Sequence, residues 1–205
     1  MASKVDALGW ENWERMWFFV EQECIFYNGK QGTVRDRKKI GDMFTAIPQS
    51  FQNGIDAFGF ENWERLWFFK GDQYCFYNAK AQEVRESRKI KDQFTRLPDD
   101  FKKGVDALGW ESWERMWFVK GERIVFYNAK DNEVRSENLL KQQFTKLPPA
   151  FQKGLDAFGF ENWERLWMFK GEQYCFYNAK AQEIREVRDI KAQFPGVLEP
   201  QPYMA

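Results

Sequence analysis

Ile55-Asp56-Ala57-Phe58-Gly59-Phe60-Glu61-Asn62-Trp63-Glu64-Arg65-Leu66-Trp67-Phe68-Phe69-Lys70-Gly71-Asp72-Gln73-Tyr74-Cys75-Phe76-Tyr77-Asn78 is the stretch that decides the fold. Arg65 to Lys70 is an apolar run that ends at Gly71-Asp72, and Tyr74 to Tyr77 is a second run that closes at Asn78-Ala79-Lys80. Gly-Asp between two such runs reads as a hairpin turn. Ile55 to Phe58, opened by Gly54, is a further short strand. Leu66 and Phe68 fall on one face of their strand and Trp67 and Phe69 on the other, so neither face is polar. Such a strand has to be covered on both sides, as when small sheets stack face to face. Beyond Glu83-Val84 the pattern turns polar, and Ile90 and Phe94 stand at helical spacing until Leu97-Pro98 stops them. One unit is therefore three short strands, with room for a fourth, and a short outer helix.

Outward from this stretch the same unit recurs without insertion or deletion. Asp6, Asp56, Asp106 and Asp156 are spaced by 50 residues, and Trp17, Trp67, Trp117 and Trp167 keep the same period. Units of approximately 1–50, 51–100, 101–150 and 151–196 tile the 205-residue chain, with 197–205 left as a C-terminal tail. The units alternate, Ala-Leu-Gly-Trp in the first and third and Ala-Phe-Gly-Phe in the second and fourth. Residues 51–94 and 151–194 differ at eight of 44 positions, which marks a duplicated pair. No unit can bury its apolar faces alone, but four arranged radially can. The last unit repeats the second instead of offering a polar cap, so the ring is expected to close. The expected fold is an all-β single domain with small outer helices, a four-bladed β-propeller with pseudo-two-fold order inside an approximate four-fold.

Ile55-Asp56-Ala57, the run Trp67 to Tyr74, Ile90 to Phe94 and Leu97-Pro98 follow one another in the order of the hemopexin repeat, which the chain resembles over all four units. Unit one departs most, with Val20-Glu21-Gln22-Glu23 where the others have Lys-Gly-Asp or Lys-Gly-Glu. The resemblance implies a central tunnel lined by the innermost strands, with a cation held near the repeated aspartate. Carried onto this chain, that nominates Asp6, Asp56, Asp106 and Asp156 for a Ca²⁺, Mg²⁺ or Na⁺ ion. Oxygen donors suit such hard ions. The alternative is that each Asp accepts backbone amides from a neighbouring blade. Asp-Ala-Leu-Gly and Asp-Ala-Phe-Gly depart from the family's Asp-Ala-Ala-Phe, and the disulfide that often locks its secreted members has no cysteines here. Chain length and repeat style are also similar to the family's fungal pink chromoproteins, which implies a pigment-binding role.

Composition removes several functions. The chain has no histidine, which excludes Ser-His-Asp and Cys-His catalysis and His-ligated zinc. It carries 31 basic and 31 acidic residues without a basic stripe, so the footprint of a nucleic-acid binder is missing. No apolar run approaches a membrane span. The N-terminal Met-Ala-Ser-Lys-Val-Asp has no apolar signal region, and Cys24, Cys75 and Cys175 show no metal spacing and read as buried reduced thiols. A cytoplasmic protein is expected. No nucleophile elbow, phosphate loop or enzyme-type metal cluster is present, and an enzyme is not expected.

The remaining candidate lies in the repeated segment Gly-aromatic-Glu-Asn/Ser-Trp-Glu-Arg, read as the connection between strands one and two at one tunnel mouth. It gathers Trp10, Phe60, Trp110 and Phe160, with Trp13, Trp63, Trp113 and Trp163 close by and Glu11, Glu61, Glu111 and Glu161 as an acidic set. Such a collar suits a small conjugated chromophore or another small aromatic or cationic molecule. The competing use of Trp13 and its equivalents is packing between blades. Alternating Trp and Phe would make the mouth a two-fold slot, and its exposed rings would support a face-to-face homodimer. Glu14-Arg15 and its repeats are expected to form salt bridges to neighbouring blades. The alternative function is an interaction, defence or storage module that binds a protein, polyamine or glycan through the propeller face.

Overall fold

Sixteen strands form four antiparallel four-stranded sheets in a ring, in a computed structural model that describes residues 4–199. The first sheet runs in chain order through β1 (Ala7–Asn12), β2 (Arg15–Val20), β3 (Glu23–Asn28) and β4 (Thr33–Lys39). The second sheet repeats it as β5 (Ala57–Asn62), β6 (Arg65–Lys70), β7 (Gln73–Asn78) and β8 (Glu83–Lys89), and the others as β9 (Ala107–Ser112) to β12 (Glu133–Leu139) and β13 (Ala157–Asn162) to β16 (Glu183–Asp189). The first strands of neighbouring blades touch one another, and β13 meets β1, so the ring is closed. Met1 to Ser3, expected to carry no apolar signal region, and residues 200–205 of the expected tail lie outside the described residues.

Each apolar face found in the sequence has its own cover. Leu66 and Phe68 of β6 pack in the seam with blade one, while Trp67 and Phe69 of the same strand pack in the seam with blade three. Four hydrophobic clusters fill the molecule, one per seam. The inner strands explain how blades come so close. Ala7 and Gly9 face the next blade, and Leu8 and Trp10 face the preceding one. A Cβ on Gly9 would stand 2.4 Å from Phe58, and one on Gly159 would stand 2.3 Å from Leu8. The small residues of each inner strand thus receive the large residues of the next. The departure Asp-Ala-Leu-Gly or Asp-Ala-Phe-Gly is a device for seam packing: Leu8, Phe58, Leu108 and Phe158 are all buried.

Three sequence expectations are corrected. The outer helix shrinks to single turns such as Ile90–Gln93, because residues from Glu83 to Lys89 pair with β7 as the fourth strand for which each unit had room. The segment from Gly9 to Asn12 belongs to β1, and only Trp13-Glu14 forms the turn. Val197 and Leu198, assigned to the tail, are buried in the seam between last and first blades. There Arg37, paired with Glu23 at 2.6 Å, donates to the carbonyls of Gly196 and Val197. These bonds hold the chain end onto blade one without a disulfide.

Candidate functional site

The two ends of the inner strands form two separate mouths. At the C-terminal end of β1, β5, β9 and β13 a cavity of about 270 Å³ is lined by Trp10, Phe60, Trp110 and Phe160 together with Glu11, Glu61 and Glu111. The structure therefore brings together all four aromatic residues of the expected collar and three of its four glutamates. Trp113 also reaches this cavity. Trp10, Phe60 and Trp110 are half-buried, and Phe160 is buried.

Adjacent residues on a regular strand point to opposite faces, yet Trp10 and Glu11 line the same cavity. A β-bulge resolves this. Trp10 pairs with Met16 while Asn12 pairs with Arg15, leaving Glu11 as the extra residue. The same shift occurs in all four blades. Bulges re-aim side chains in this way. Asn12, Asn62 and Asn162 then close the turn by accepting the backbone N–H of Glu14, Glu64 and Glu164 at 2.9 Å.

The rings are ordered in stacks. Phe76, Trp67 and Trp110 lie parallel, with centroids 4.4 and 5.8 Å apart. Phe176, Trp167 and Trp10 repeat the arrangement at 4.8 and 6.0 Å. In the other two seams the stack stops at Phe26–Trp17 and Phe126–Trp117, and Phe60 and Phe160 sit edge-on to Trp63 and Trp163. The expected two-fold slot is therefore a pair of ring stacks that end on opposite sides of the axis. Trp13, Trp63, Trp113 and Trp163 pack against Trp167, Trp17, Trp67 and Trp117 of the preceding blades, at 4.8–5.3 Å.

Glu61, Glu111 and Glu161 accept the indole N–H of Trp67, Trp117 and Trp167 at 3.3–3.5 Å and pair with Arg65, Arg115 and Arg165. In blade one Glu11 pairs with Arg15, but its Oε2 and the Trp17 indole N–H are both buried and have no hydrogen-bond partner among the described residues. Glu14, Glu64, Glu114 and Glu164 pair with Lys30, Lys80, Lys130 and Lys180 of their own blades, not with neighbours as expected. The hairpins β1–β2 and β3–β4 end side by side, which brings the two turns within reach. Hydrogen bonding from those lysines holds the four carboxyls below the usual carboxylate range.

At the other mouth the aspartates occupy corresponding places but do not gather as metal ligands. The Oδ2 atoms of Asp6, Asp56, Asp106 and Asp156 accept the backbone N–H of Glu21, Gly71, Gly121 and Gly171 at 2.6–2.7 Å. These amides belong to the β2–β3 turn of the same blade, not of a neighbour. Glu21 keeps the turn in blade one by adopting φ 54°, where the other blades have glycine. Lysines face the carboxylates: Lys4 and Lys170 reach Asp156 at 3.9 and 3.1 Å, and Lys70 reaches Asp56 at 3.6 Å. Among the described residues no three acidic or thiol groups form a metal cage. The carboxylates do not fit a cation ring. The sequence reading missed these lysines, although their repeat at positions 70, 120 and 170 was visible.

Cys24, Cys75 and Cys175 are free and buried. Burial raises all three thiols, those of Cys75 and Cys175 to about 12, so they offer no thiolate nucleophile near neutral pH. No helix among the described residues is long and apolar enough to cross a membrane.

Sheet order, closure and two open mouths define the class: a four-bladed β-propeller with the hemopexin fold. The chain is similar to the hemopexin fold protein CP4 from cow pea, with a TM-score of 0.81 over 93% of this chain and 95% of that one, at 16% identity. It is equally similar to a plant albumin from Cicer arietinum showing hemagglutination, with a TM-score of 0.83 over 97% and 99% of the chains at 16% identity. A plant lectin with two metal binding sites, also from Cicer arietinum, gives 0.80 over 93% and 95% at 16% identity. At these identities the likeness is one of fold. No protein-family model matches the chain, and no curated protein matches it.

Proposed function

We propose that the protein is a non-enzymatic carrier of a small planar molecule, conjugated or cationic, held in the slot between Trp10 and Trp110. The observation that carries this reading is the pair of ring stacks Phe76–Trp67–Trp110 and Phe176–Trp167–Trp10, each ending at the slot. A flat ligand entering between them extends both stacks, and aromatic pairing of this kind adds about 0.5–1.5 kcal/mol per pair beyond area burial. Glu11, Glu61 and Glu111 line the slot and supply negative charge for a cationic or N–H-bearing edge. A conjugated pigment with such an edge would satisfy both requirements. Any cation on the axis would be held by main-chain carbonyls of the inner strands, since the aspartate carboxylates are bonded to turn amides.

The test is a titration with a planar aromatic cation, proflavine, followed by tryptophan fluorescence, beside an absorption spectrum of the protein from its native source. Saturable quenching that is at least about tenfold weaker in Trp10→Ala/Trp110→Ala is expected, together with a visible band that survives gel filtration and disappears on denaturation. A colourless native protein would exclude the pigment version, and binding unaffected by the double substitution would exclude the slot. The hemagglutinating albumin and the lectin among similar structures favour a second reading, a face that binds glycans. Agglutination by an uncoloured protein, retained in the double variant, would select it.

A further inference from the structure

The mouth opposite the collar contains the larger cavity, about 410 Å³, lined by lysines from three of the four blade segments as well as by the four aspartates. Its charges are unevenly paired, because three of the four aspartates already have a lysine partner. Every aspartate accepts a turn amide, and Lys4, Lys70 and Lys170 pair with Asp6, Asp56 and Asp156. Lys103, Lys120 and Lys153 are different. All three line the cavity, and none has a carboxylate within ion-pair distance among the described residues. Among the described residues Lys120 donates to the Gly104 carbonyl alone, at 2.7 Å.

The repeat shows why the charge is lopsided. Lys120 is replaced by Val20 in blade one, and Lys103 and Lys153 correspond to Asn53. The three uncommitted ammonium groups therefore gather on the half of the mouth built by blades three and four. We infer that this mouth is an anion site that takes one compact, multiply charged oxyanion of the phosphate or polyphosphate type, held by Lys103, Lys120 and Lys153. Lysines outnumber aspartates in the lining, and a concave wall with an excess of one sign focuses the field on the axis. Lysine ammoniums act on phosphate oxygens as mobile point charges and need no fixed fork geometry. The site stands apart from the aromatic slot, at the other end of the inner strands.

Sodium pyrophosphate, titrated calorimetrically into the intact protein at constant ionic strength, tests this. Saturable one-to-one binding that weakens as salt is raised is expected. Lys103→Gln/Lys153→Gln should weaken it about tenfold or more, whereas Lys130→Gln, at the collar end, should leave it unchanged. Lys103 and Lys153 are exposed, so an unchanged thermal melt should accompany the loss. No saturable heat, or a double variant that binds like the parent, would overturn the inference. So would equal weakening by Lys130→Gln, because it would reduce the effect to diffuse attraction. Proflavine quenching on the same samples keeps this result distinct from the fate of the slot.

Discussion

The collar and the lysine mouth lie at the two ends of the same four strands, and they are tied into the protein differently. At the collar, the rings of the proposed binding slot also hold the fold together. Trp10 and Trp110 line the slot and also close seams by stacking on Trp167 and Trp67. At the lysine mouth the polar side chains bond to turn amides and to one another, and the apolar seams are carried by the buried residues beside them, Val5, Ile55, Val105 and Leu155. Rings at the first mouth are therefore rigid and costly to change. Charges at the second can be exchanged with little effect on the fold.

That contrast can be broken by substitution, and the largest effect belongs to the collar end. Trp167→Ala removes the centre of a three-ring stack in the seam that closes the ring, at a site only 3% exposed. A loss of about 3–5 kcal/mol is expected, read as a lower urea midpoint. Gly59→Ala comes next. Its new Cβ would lie 2.7 Å from Trp110 Cε3, so the ring must shift, at a cost of about 1–3 kcal/mol and with weaker proflavine quenching. Asp106→Ala, at the lysine mouth, removes one charge-assisted bond to the Gly121 amide from an exposed residue. About 1 kcal/mol or less should be lost, and pyrophosphate binding should strengthen because a carboxylate has left the wall. If Asp106→Ala destabilised the protein as much as Trp167→Ala, the two ends would not differ as described.

Much of this was legible beforehand because a four-fold repeat reports each position four times. Leu66 and Phe68 opposite Trp67 and Phe69 required cover on both sides, and the seams provide it. The collar residues were nominated correctly as neighbours, although for an incomplete reason. They were read as a connecting loop, whereas they sit at the end of β1 with a bulge at Glu11. A bulge depends on strand register, which neither composition nor periodicity reveals. The aspartates illustrate the opposite case. Their repetition was plain, but a carboxylate's partner depends on which backbone amide the turn presents, and that turn belongs to the same blade.

The sequence by itself determined the number of blades, the doubled pair, the closure and the kinds of residue available at each mouth. These follow from local periodicity and from the need to bury two-sided apolar strands. The tertiary structure alone decided which rings stack, which glutamate is left without a partner, and which lysines escape their aspartates. Those outcomes turn on side chains from different blades approaching within a few ångströms, and distances across a seam are set by closing the ring.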